Sequence, residues 1–253
     1  MLRQVLICLL VSLASARLHH QLDPYGEEEE ELDVNTILKA LGTPLCMRKC
    51  IDPFIKTTSA IWNMKDVAGN SRTVCSSHSK ALACLKADQF CDMKGVFKTA
   101  SSSVHYMCDR KSLLFERMEA CLKPVVDTIM QECDSTCHAR SNLTAFSQNS
   151  NIKFAAQIGG NIFIVSDHLG PLCGSLACTL PCITKKLNDK CDLSGWLTLD
   201  VLMQPLDATA AIVEDLPVSL RDLLHQKIDK RCSFTLSTAR LNRIRNGDFN
   251  AFY

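Results

Sequence analysis

Hydrophobic positions in this chain recur mainly at intervals of three and four residues, and no run shows strict alternation, so the elements it predicts are helices rather than strands. A first stripe carries Ile37, Leu38 and Leu41 on one face; the helix begins near Leu32 and stops at Gly42, with Pro44 beyond. Cys46 and Cys50 follow one turn apart, and Phe54, Thr58, Ile61 and Trp62 extend their face past Pro53. Residues 67–71 read as a loop around Gly69-Asn70. The next stripe is Cys75, His78, Ala81, Leu82 and Leu85. After a cap within 100–103, another runs through Val104, Met107, Lys111, Leu114, Phe115 and Met118. Pro124 is placed to open a helix bearing Val125, Ile129, Met130 and Cys133.

Residues 138–151 break this pattern, being polar and turn-like. Beyond them, 152–165 is strongly apolar but interrupted by Gly159-Gly160, and fits a buried helix followed by a short strand without the pattern deciding it. The apolar segment 197–213 contains Pro205 and fits one kinked helix or two short ones. Pro217 opens a last helix whose stripe is Leu220, Leu223, Leu224 and Ile228, and the basic end with Arg240, Arg243 and Arg245 reads as a solvated tail.

The cysteines change the picture most. Residues 1–16 have the charged start, apolar middle and Ala14-Ser15-Ala16 end of a secretory signal peptide. Its removal discards Cys8 and leaves fourteen cysteines: Cys46, Cys50, Cys75, Cys84, Cys91, Cys108, Cys121, Cys133, Cys137, Cys173, Cys178, Cys182, Cys191 and Cys232. An even number in an oxidising compartment implies a fully paired framework of up to seven disulfides, whose connectivity the spacing leaves open. Cys75 to Cys137 is the densest block, and Cys178 and Cys182 repeat the spacing of Cys46 and Cys50. Asn142-Leu143-Thr144 is the chain's one N-glycan acceptor pattern. No later segment is apolar enough to span a membrane, and no anchor signal ends the chain, so a secreted product is expected.

Charge and chemistry narrow the function mainly by exclusion. The sequence has 28 basic and 27 acidic residues, and loss of Arg3 with the leader balances them, which gives nucleic acid no claim as partner. Residues 17–31, ending in Glu27 to Glu31, read as a mobile acidic arm. Cleavage after Ala16 would make His19 the third residue, a position from which an imidazole can help enclose Cu(II) or Ni(II). Cys-x-x-Cys is absent, which argues against structural zinc and thioredoxin-like redox chemistry. There is no Gly-x-Ser-x-Gly elbow and no His-Glu-x-x-His helix; His78, His105, His138, His168 and His225 are scattered, and Glu116 and Glu119 read as a solvated pair. No enzyme activity and no cofactor are expected.

One resemblance is usable. The order Cys46-x-x-x-Cys50, Pro53-Phe54, Cys75, Cys84, Cys91, then Val104-His105-Tyr106-Met107-Cys108, Phe115, Cys121-Leu122 and Cys133-x-x-x-Cys137 resembles the nematode chondroitin proteoglycan 4 domain family, over about 45–138. Gly195-Trp196-Leu197 and Cys232 resemble the later region of such proteins less distinctly. The resemblance implies an extracellular cysteine-rich module from a family named for a chondroitin-bearing core. Chondroitin is attached at Ser-Gly sites with acidic neighbours. The one such pair here, Ser194-Gly195, is bracketed by Cys191 and Trp196 as in a packed turn, which departs from that pattern.

The expected architecture is therefore all-α, with disulfide-rich helical domains. A cysteine-rich domain covers 32–138, a linker 139–151, a second stapled domain 152–235 and a tail 236–253. The expected role is structural or interaction-based, toward an extracellular protein or glycan. The alternative is a carrier of a lipid or other small apolar ligand, with Met107, Met118 and Met130 among the cavity-forming side chains. A large apolar cavity between helices favours the carrier; a dense core with an exposed patch favours the interaction module.

Overall fold

The computed structural model describes residues 32–62, 70–88, 90–92 and 95–253. The expected leader and acidic arm, with Cys8 and His19, lie outside them. The described residues form helices and no strand: α1 (Val34–Ala40), α2 (Leu45–Trp62), α3 (Ser71–Ala87), α4 (Val96–Ala100), α5 (Ser102–Arg110), α6 (Ser112–Leu122), α7 (Val126–Cys137), α8 (Ala139–Gln148), α9 (Ser150–Gln157), α10 (Ile162–Asp167), α11 (Gly170–Lys190), α12 (Ser194–Glu214), α13 (Val218–Lys227) and α14 (Thr238–Arg245), with 3-10 turns at Lys230–Leu236 and Phe249–Phe252.

Apolar side chains sort into three cores. The first lies between α2 and α3 and holds Met47, Ile51, Phe54, Val74, Ala81, Leu85 and Phe97. The second lies between α6, α7 and α11, with Leu122, Ile129, Met130, Ile183 and Leu187. The third and largest gathers α1, α8 to α12, α14 and the C-terminal turns around Leu172, Leu176, Met203, Leu206, Phe234 and Phe252.

The fourteen cysteines form seven disulfides, which bind each core separately. Cys46–Cys91, Cys50–Cys84 and Cys75–Cys108 close the first; Cys121–Cys191, Cys133–Cys182 and Cys137–Cys178 close the second; Cys173–Cys232 closes the third. Cys133 and Cys137 stand one turn apart on α7, as do Cys178 and Cys182 on α11, and the crossed pairing fixes the two helices antiparallel.

Several expectations are corrected. The polar stretch 139–151 holds α8 and the start of α9; its polar residues cover one face while Leu143 and Phe146 are buried on the other. Three disulfides pass over that stretch, whereas none spans Lys111, so the covalently closed sets meet there. Residues 152–165 form α9 and α10 and no strand, because Gly159 and Gly160 both take positive φ and break the helix. A Cβ on Gly160 would stand 2.3 Å from Gly42 Cα, so this turn also needs glycine to seat against the end of α1. Residues 194–214 form one helix through Pro205, the first of the two arrangements expected there.

The end expected as a solvated tail is packed. Phe252 meets Phe234 edge-on at 4.9 Å, and Arg240 donates to Ala251 O and Ser233 Oγ. On α13 only Leu224 of the expected stripe's helical part is buried, with Ile228 just beyond, while Leu220 and Leu223 are exposed. A break at Lys111 re-phases the α5–α6 stripe and leaves Leu114 at the surface.

Candidate ligand cavity

The three cores do not merge completely. Where they meet, a cavity of about 470 Å3 opens, partly accessible from outside. Met47, Ile51, Phe54 and Val74 line it from the first core, Leu122, Met130 and Phe115 from the second, and Ile37, Leu41 and Leu143 from the third. Val104 and Met107 of α5 and Val201 and Leu202 of α12 complete the wall. The amphipathic patterns that build the cores thus also supply the lining, each helix turning a few apolar side chains past its own cluster.

Protein interiors normally close-pack. The covalent frame resists collapse. Cys75 and Cys108, both at the lining, tie α3 to α5, and the α7–α11 staples hold the opposite side.

Besides the hydroxyls of Thr43, Thr58, Ser71, Ser112 and Thr198, the wall carries two polar groupings. Exposed Arg72 and Glu116, with half-buried Glu119, mark the mouth. Away from the mouth, Ser101 and Ser103 sit at the start of α5, buried to 1% and 2% exposure. The Cys75–Cys108 disulfide and the His78–Ser101 contact set α3 and α5 antiparallel, which sends Arg72 toward the far end of α5 and leaves the two serines at the other.

His78 packs behind this wall between Phe54 and Phe97. Its Nε2 is 2.8 Å from Ser101 Oγ, the separation of a base and its nucleophile. The Ser101 hydroxyl, however, donates to Phe97 O at 2.7 Å. In this arrangement Nε2 carries the hydrogen and donates to Ser101 Oγ rather than taking the serine proton. Burial first and the neighbouring His105 second lower the His78 pKa, against the opposing Asp109, to about 4, so the ring is neutral at ordinary pH. The pair is structural.

The other singled-out residues fall as follows. Met107 and Met130 line the cavity, and Met118 packs on the second core. Glu116 and Glu119 share the mouth rather than a sugar cleft. His138 takes φ 52° between α7 and α8, and His168 contacts Asn151 at 3.1 Å; neither joins His78. Asn142 is half-buried on α8, its Nδ2 donating to Ser175 Oγ at 2.7 Å. Ser194 is fully buried, donating to Cys191 O at 2.6 Å, and a Cβ at Gly195 would lie 1.9 Å from Thr184 O. Among the described residues no group of three or more His, Cys, Asp and Glu could hold a metal ion. Nothing in the local pattern singled out Ser103; its contribution to the wall depends on how α5 packs.

A polar cluster joins the two disulfide sets beside the cavity. Tyr106 donates to Asp200 Oδ2 at 2.9 Å, Lys111 Nζ lies 3.6 Å from the same oxygen, and Arg245 lies 3.2 Å from Asp200 Oδ1 and also pairs with Asp207. Tyr106 first, and Asp200 with it, raise the Lys111 pKa and hold it charged.

Fold and cavity define a disulfide-braced, all-helical class of protein. The chain belongs to the Chondroitin proteoglycan 4 family, whose model matches residues 35–253, well beyond the 45–138 expected from the cysteine order. It is 20% identical over 274 aligned positions to a Caenorhabditis briggsae protein described as Chondroitin proteoglycan 4, covering 87% of this chain and 40% of that one. A Caenorhabditis elegans protein of the same description is 22% identical over 256 positions, covering 79% and 32%. The chain therefore spans less than half the length of these relatives. No solved structure matches it significantly. No helix among the described residues is long and apolar enough to cross a membrane.

Proposed function

We propose that this chain is an exported, non-catalytic binding module of the extracellular space that holds a small apolar ligand in the cavity between its three cores. The cavity carries this reading. Its volume falls within the range of ~300–1,000 Å3 typical of small-molecule sites, and its lining is overwhelmingly apolar with few polar groups. The signal-peptide pattern of residues 1–16 and the fully paired cysteines support export, since such a framework persists only in an oxidising compartment. Native mass spectrometry of the protein secreted by its own organism tests both points. The expected result is a chain beginning at Arg17, lighter by fourteen hydrogens than its reduced form, with a small extra mass that is lost on denaturation. A ligand-free protein would return preference to the structural or interaction module.

Family membership favours that second reading, in which the partner is an extracellular protein or glycan. If the chain belongs to a proteoglycan, its chondroitin sits elsewhere than Ser194. That hydroxyl is buried and donates to the backbone, and xylose could reach it only by opening the start of α12. The intact mass should be unchanged by chondroitinase. The Asn142 glycan remains part of the proposal: the amide has two hydrogens, of which Ser175 engages one. A mass loss on amidase treatment, absent in Asn142→Gln, is the expected outcome.

A further inference from the structure

We infer that the cavity is built for an uncharged lipid carrying a hydrogen-bonding oxygen, a sterol or long-chain alcohol, whose oxygen is received at Ser103. This rests on the ligand-cavity reading above and specifies the chemistry of its occupant.

Ser103 is 2% exposed, lines the cavity, and its hydroxyl has no hydrogen-bond partner among the described residues. Its neighbour Ser101 differs, having its hydroxyl committed to Phe97 O and its oxygen engaged by His78. A buried hydroxyl left unsatisfied is destabilising, so Ser103 carries a standing demand for a partner. It also stands in the first turn of α5, whose opening amides have no acceptor within the helix and whose dipole is positive there. This end of the cavity therefore favours an acceptor oxygen.

The remainder of the wall, mainly hydrocarbon with scattered hydroxyls such as Thr58 and Thr198, disfavours a full charge. Met107, Val104, Phe54 and Leu202 offer only hydrocarbon surface. Arg72 is the only cation among the described lining residues, and it belongs to the mouth, where Glu116 and Glu119 balance it. A carboxylate brought to Ser103 would be buried away from any cation, at heavy desolvation cost. A hydroxyl or carbonyl incurs no such penalty.

The test uses the full secreted chain, disulfides intact and stripped of lipid, with the neutral dye phenylnaphthylamine as probe. Hexadecanol, hexadecanoate and hexadecane compete against it. The dye should fluoresce on binding, and Leu202→Trp, which narrows the cavity, should weaken the signal while leaving the circular dichroism unchanged. Hexadecanol should displace the dye at lower concentration than hexadecanoate. Ser103→Ala should weaken hexadecanol about five- to tenfold, the loss of one hydrogen bond, and leave hexadecane and the dye unaffected. If the dye does not bind, or Leu202→Trp leaves its signal intact, the cavity reading itself fails. If the dye binds in the cavity but hexadecanoate competes best and Arg72→Gln weakens it, the cavity stands and the inference of a neutral ligand is overturned. Equal hexadecanol competition in Ser103→Ala and the parent overturns the role of Ser103.

Discussion

His78 shows how much one buried side chain can decide. Its ring is enclosed by Phe54, Phe97 and Ser101, and its folded pKa of about 4 lies well below the ~6.5 of an unfolded chain. Between those values the unfolded state binds more protons, so the His78 contribution is intact above about pH 6.5 and is lost as pH falls toward 4. The loss should approach about 3 kcal/mol, taking ~1.4 kcal/mol per pH unit. In urea melts between pH 7 and pH 4, His78→Phe should flatten that acid limb while keeping the aromatic packing; an unchanged slope would assign the acid sensitivity to another group. Gly195 is the other decisive residue. Its missing Cβ admits Thr184 O, so Gly195→Ala forces α11 and α12 apart and should cost about 2–3 kcal/mol, read as a Tm drop of roughly 5–10 °C.

At the scale of elements, α7 and α11 are the most strongly specified pair. Two cysteines a turn apart on each helix meet two on the other, which sets register and direction together. Replacing Cys137 and Cys178 jointly by alanine should cost about 2–3 kcal/mol, because Cys133–Cys182 stays formed and already closes the surrounding loop. Thermal melts and non-reducing peptide maps of the double variant would show both. The link between α5 and α12 is weaker, resting on Tyr106 and Lys111 against Asp200. Tyr106→Phe removes one charge-assisted bond and should cost ~1.5–3 kcal/mol, less where Asp200 keeps Lys111 and Arg245.

On the scale of the whole molecule, the disulfides divide the chain at Lys111, while the cavity, the third core and the Asp200 cluster join what they divide. A non-reducing tryptic map made in denaturant should contain no cross-linked species with peptides from both sides of Lys111. A bridge between Cys108 and Cys121, for example, would refute that division. The arrangement also gives the cavity its form: covalently closed cores cannot spread to fill the space between them, so the volume persists.

The helical class, most helix positions and the full pairing of the cysteines were legible in the chain, because a three-to-four-residue apolar period and an even cysteine count each express a local or compositional rule. So was the packed character of Ser194-Gly195, from the cysteine and tryptophan beside it. Other features depended on contacts distant in sequence. Residues 139–151 read as a linker because their polar face dominates the composition, but Leu143 and Phe146 find the third core and make a helix of them. The basic end packs through Phe252 on Phe234, a contact between two short turns with no periodic signal. The division at Lys111 required the pairing itself, which spacing cannot supply. The cavity and its unsatisfied Ser103 required all three cores in place, because a void between packed units belongs to their mutual arrangement and to no single stretch of chain.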